Sequence, residues 1–168
     1  MTIKQLFPIL FLVFGFSAIQ AQKVGHLNSQ TLLAEMPEVK EAESNLKAFQ
    51  TQLEKKGQQM VETLQKSYQE VSRKEQQGEI SPKQLEEEGK KLKAEEEKIQ
   101  AYEADMQAQM VTKREELLQP ILDRVNTAIA DICSVKGYQY IIDLSSGVLL
   151  FASEEHDITA EVKTKLGL

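Results

Sequence analysis

Two histidines, His26 and His156, and one cysteine, Cys133, are where nucleophilic, acid–base or metal chemistry would have to begin. His156 stands between Glu155 and Asp157, three donor types that metals accept. Adjacent residues in a turn point in different directions, however, so this run reads as a solvated loop rather than a preformed site. Each histidine falls near the edge of an expected element, outside any recognisable nucleophile–base–acid arrangement. Cys133 has no second cysteine for a disulfide or a thiolate site. Beside Ile132 on an apolar stripe, it reads as a small buried filler. The glycines form no phosphate-binding loop. The expectation is a chain with no catalytic residue, no metal and no cofactor.

Adaptable surface is the other kind of chemistry on offer. Met60, Met106 and Met110 carry flexible thioethers, and Tyr68 and Tyr102 carry amphipathic rings, all suited to accepting many partner sequences. Their helical spacing also fits the core of a helical hairpin, which is the first reading of the methionines. The runs Glu86-Glu87-Glu88 with Lys90 and Lys91, and Glu95 to Lys98, read first as solvated helix faces.

The elements that must position these side chains are mostly long helices. Lys23-Val24-Gly25-His26-Leu27-Asn28 is strand-like, and Asn28 or Ser29 caps a brief helix that Pro37 ends and the next helix uses as its first residue. From there Val39, Ala42, Leu46, Phe49, Leu53, Met60, Leu64, Tyr68 and Val71 form one narrow stripe. Gln-Gln-Gly-Glu-Ile-Ser-Pro, up to Pro82, signals a turn, with Ser81 capping a second helix. Leu85, Leu92, Ile99 and Met106 follow at intervals of seven, extended by Met110, Leu117, Ile121, Val125, Ile129 and Ile132. Two antiparallel helices of roughly forty and fifty residues would make an arm about 60 Å long. Pro120 removes one backbone hydrogen bond and crowds the carbonyl of Glu116, so it is the expected hinge between arm and body. Gly57 and Gly89 add flexibility. Gly137 ends the helix. Tyr138 to Leu144 and Val148 to Phe151 read as two strands joined by Ser145-Ser146-Gly147, and Asp157-Ile158-Thr159 opens a last helix to Leu166.

Composition agrees with this outline. Of 168 residues, 27% are charged, only 6% are aromatic and none is Trp, which suits solvated helices better than a compact two-layer core. A net charge of −6 leaves no basic stripe for phosphates, so nucleic acid is not an expected partner. Residues 1–21 have the plan of a secretory signal peptide: Lys4, an apolar run from Leu6 to Phe16, and small Ala21 before the expected cut. The run is short for an uncleaved membrane anchor, and the remainder has no stretch long enough to span a bilayer.

The strands suggest assembly. Tyr140, Ile141 and Ile142, and then Val148 to Phe151, are apolar on both faces, as in strands buried on both sides. Three short strands with open edges cannot achieve that alone, so several copies sharing a sheet is the simplest remedy. The helix base folding over the sheet of a single copy is the alternative. Val24, Leu27, Tyr140, Ile142, Val148 and Leu150 are the residues expected to build the shared body.

The segment ELLQPILDRVNTAIADICSVKGYQYIIDLSSGVLLFASEEHDITAEVKTKL, Glu116 to Leu166, closely resembles the C-terminal body of the Skp/OmpH family. The resemblance lies in Leu-Gln-Pro-Ile, in Lys-Gly-Tyr before a strand, in the Ser-Gly-Val turn and in the closing Asp-Ile-Thr-x-Glu-Val. Lys23 to Asn28 and Met36-Pro37-Glu38-Val39 match the family's first strand and helix start. The resemblance implies an α+β, mostly α fold: a long antiparallel coiled-coil hairpin, residues 37–116 with its tip near 78–82, on a small β-body from 22–36 and about 117–168. Homotrimerisation would complete that body. It further implies a periplasmic, ATP-independent holdase of a Gram-negative cell that binds unfolded outer-membrane proteins between its arms, with transient membrane-surface contact. Met60, Tyr68, Tyr102, Met106 and Met110 are then the client-binding candidates. The best-known members are strongly basic, whereas this chain has a pI near 5.1, which argues against a charge-driven cavity or lipid attraction here. A stiff structural spacer of the envelope, docking by its tip, is the competing class, and the coiled-coil pattern is neutral between the two.

Overall fold

The computed structural model describes residues 22–168; the expected leader, 1–21, lies outside the described residues. In chain order the elements are β1 (Val24–Leu27), α1 (Ser29–Glu35), α2 (Pro37–Gln76), α3 (Pro82–Lys136), β2 (Tyr140–Asp143) and α4 (Thr159–Leu166). Short 3-10 turns cover Leu144–Ser146 and Glu154–His156.

Local signals set most of these limits. The Asn28 side chain accepts the Thr31 N–H at 3.0 Å and so caps α1. Pro37 opens α2 where a missing N–H costs nothing. Ser81 and Gln84 cap α3 reciprocally, each side chain satisfying the other's backbone N–H. Gly137, at φ 72°, closes α3 in the left-handed conformation. At forty residues, α2 spans about 60 Å. It lies antiparallel to α3, and Ala42, Leu53, Leu92 and Tyr102 are the buried residues along their seam.

The body joins the two ends of the described chain. β1 and β2 pair in parallel, Val24 opposite Tyr140 and Leu27 opposite Asp143, so the whole arm is the crossover between them. Leu27, Leu32 and Met36 from the first part meet Val125 and Ile132 of α3, Val162 of α4 and Ile158 just before it in one core. Gly25 leaves room for the Ile141 and Tyr138 side chains: a Cβ there would lie 2.9 Å from Ile141 Cδ1 and 3.0 Å from Tyr138 Cε1.

One expectation needs correcting. The strand hairpin across Ser145-Ser146-Gly147 does not form; the sheet has two strands only, and Val148–Phe151 is irregular. The reason is the Asp143 carboxylate. It accepts the Ser145 N–H at 3.0 Å and the Ser29 N–H at 3.1 Å, winding the chain into a 3-10 turn that Gly147 ends at φ 67°. The last helix runs from Thr159 to Leu166 as expected, with the Asp157 carboxylate accepting the Thr159 N–H at 2.7 Å at its start.

Asp143 also sets a pH limit. Burial alone would raise its pKa, but the Ser29 and Ser145 donors more than offset this and bring it to about 2. Its folded pKa is thus depressed. The stabilisation is complete above the unfolded value near 3.9 and disappears as pH falls towards 2. Because Asp143 keeps some contact with solvent, the effect should be on the order of 1 kcal/mol. Urea midpoints measured from pH 5 to pH 2 should fall less steeply for Asp143→Asn than for the parent; parallel curves would remove the role.

Candidate functional site

The candidate residues separate into those the chain covers itself and those it leaves open. On the arm, Tyr102 is buried: its ring sits against Gly57, and its hydroxyl donates to the Leu53 carbonyl at 3.0 Å. Tyr102 thus locks the hairpin and, contrary to the sequence expectation, offers little surface to a partner. The Lys56 ammonium lies 4.9 Å from the ring centre, a cation–π contact on the outer side. Tyr68 is exposed and donates to Glu96 at 2.8 Å, a bond that holds its hydroxyl proton above the usual tyrosine range. Met60, Met106 and Met110 are half-buried along the seam, so each presents part of a thioether outward. Met60 and Ile99 border a shallow cleft of about 310 Å³ with Lys56 and Lys98 at its margin.

In the body, Leu27 belongs to the internal core. Ile142 is half-buried, while Val24 and Tyr140 are open at the sheet edge. Beyond β2, Val148, Leu150 and Phe151 are 79%, 99% and 85% exposed. An apolar strap this bare is far from the scattered single hydrophobics of an ordinary surface.

Sequence periodicity does not single out a second apolar feature, at the base of the arm. Leu33 and Ala34 of α1, Val39, Ala42 and Leu46 of α2, and Leu117, Leu118, Ile121 and Leu122 of α3 line a cleft of about 440 Å³. The sequence signal is the crowding of Leu117, Leu118, Ile121 and Leu122 around Pro120, but only the packing of α1, α2 and α3 together turns it into a cavity. Gln30, Glu43 and Arg114 complete the lining. Neighbouring body charges are paired: Arg124 with Glu38, and Lys163 with Glu35 at 2.7 Å. Among the described residues, neither Arg114 nor Glu43 belongs to an ion pair.

His26 is buried, with Nε2 2.9 Å from the Ser153 carbonyl and Nδ1 unpartnered. It ties β1 to the segment after the strap. His156 meets Tyr138 edge-on at 6.4 Å, and Cys133 is half-buried rather than fully enclosed. Among the described residues, no group of three or more His, Cys, Asp or Glu is placed to hold a metal ion, and no helix is long and apolar enough to cross a membrane. α3 runs through Pro120 from Pro82 to Lys136.

Comparison with known proteins follows this geometry. A family model described as outer membrane protein (OmpH-like) matches residues 23–166. Comparison with curated proteins gave no match. Among solved structures, a Caulobacter crescentus chain provisionally described as an OmpH-like outer membrane chaperone superposes with a TM-score of 0.72 at 18% identity. The superposition covers 87% of this chain and 84% of that one, a likeness of fold. With the family model spanning both strands, the arm and the last helix, the chain belongs to the OmpH-like outer membrane protein family.

Proposed function

We propose that this protein is a periplasmic holdase that shields unfolded outer-membrane proteins between the arms of a homotrimer, without ATP. The family is not an enzymatic one. The observation that carries the reading is the bare strap: Val148, Leu150 and Phe151 have nothing to cover them in one copy. Further copies that cover the strap bring several 60 Å arms around one base, and a cavity between arms follows. Half-buried methionines and exposed Tyr68 on those arms supply weak, adaptable contacts. An unfolded client has no fixed shape and must leave unaided, so many weak contacts suit it better than one tight pocket. Light scattering of an unfolded β-barrel protein diluted from denaturant tests this directly. Suppression of scattering at stoichiometric amounts is expected; undiminished aggregation would favour the spacer class.

Pro120 is the proposed hinge of each arm. Pro120→Ala restores the N–H that Glu116 O would accept and should narrow the spread of tip positions while leaving assembly intact. Distances between spin labels near Gly78 on different copies measure that spread, and an unchanged width removes the hinge.

A further inference from the structure

We infer that the basal cleft is a seat for one extended strand of a client, which it reads by side-chain alternation. Its volume, about 440 Å³, lies in the range of small-ligand sites, and its walls are nearly all aliphatic. Its two charged groups are of opposite sign and come from facing helices, Glu43 from α2 and Arg114 from α3; the Gln30 carboxamide of α1, which both donates and accepts, also lines it.

That pair decides the occupant. An anionic lipid headgroup would gain Arg114 but meet Glu43, so the charges cancel as a headgroup site. A docked helix has its N–H and C=O groups satisfied internally and has no use for either. An extended backbone presents both kinds of group unsatisfied: a carboxylate accepts the N–H, and a guanidinium donates to the C=O. Side chains on an extended strand alternate between faces. A one-sided apolar cleft therefore takes residues i and i+2 and leaves i+1 in water. Such a segment is what the client class proposed above, an unfolded β-barrel chain, contains in series. The backbone contacts would be indifferent to sequence, and the cleft would select only the apolar–polar pattern.

Anisotropy titration of the full-length assembly with two labelled nine-residue peptides tests this. Both share one composition, four leucines and three threonines between flanking lysines; in one they alternate, in the other the leucines are contiguous. The alternating peptide should bind at least about tenfold more tightly, because it places more leucines on one face. Leu118→Glu should weaken it by more than about tenfold, since a charge would then stand in the apolar cleft. Leu118→Ala, which only shortens a half-buried side chain, should weaken it less and guards against a folding defect. Arg114→Gln with Glu43→Gln, both at exposed positions, should weaken it several-fold while sedimentation stays unchanged. Equal binding of the two peptides, or cleft variants without effect, overturns the assignment; so does dissociation of the assembly by Leu118→Glu, which would make a second copy the occupant. Protection of a whole unfolded client is scored separately, so loss of the cleft role and loss of the holdase role give different results.

Discussion

Shortening the arms should weaken protection of an unfolded client severely while leaving the body folded and assembled. Residues 57–70 of α2 and 89–102 of α3 face each other across the hairpin, as the contact of Gly57 with Tyr102 indicates. Each segment is two heptads, so removing both preserves the phase of the seam and keeps the tip with its Ser81 cap. The arm loses about 21 Å of its length. None of the core of the body, from Leu27 to Leu166, lies in the deleted segments. If arms act by raising the effective concentration of many weak contacts, removing a third of them should raise the amount of protein needed to suppress scattering by at least about tenfold. Single substitutions such as Met60→Ala should move it far less. A shortened assembly that protects as well as the parent would place the binding surface elsewhere and bring the spacer class forward.

Breaking the strap should separate the copies without unfolding them. Leu150 and Phe151 touch little in one chain, so Leu150→Asp with Phe151→Ser should cost each copy almost none of its own stability. In an assembly that buries them, each side chain is worth about 1.5–3 kcal/mol, and the pair at every interface about 3–6 kcal/mol. That corresponds to a loss of about a hundredfold to more than ten-thousandfold in association. Sedimentation at micromolar concentration should show a monomer with unchanged far-UV circular dichroism. A variant that sediments like the parent would mean that the strap is not the joint, and a parent that is already monomeric would remove the trimer from the proposed mechanism.

What one sequence determined here was local or periodic. Asn28, Ser81 and Gly137 set helix ends by hydrogen bonds within three or four positions of themselves, and Pro37 by a fixed φ and a missing N–H. The stripe through Leu53 and Leu92 set the hairpin, because a two-helix seam needs only one narrow apolar face per helix. The motifs at the two ends of the chain placed it in its family. Other features depended on groups far apart in sequence. Ser29 and Asp143 are 114 positions apart, and their bond fixes the carboxylate that also caps the 3-10 turn through Ser145, where a hairpin was expected. Tyr102 was a client-binding candidate by its ring alone, yet its hydroxyl reaches the Leu53 carbonyl and its ring fills the space that Gly57 leaves. The parallel pairing of β1 with β2 depends on the body core that holds the two ends of the arm together. The basal cleft depends on how far α2 and α3 separate as they meet that core. Periodicity states which face of a helix is apolar, but only the meeting of three helices decides whether that face is filled or left open.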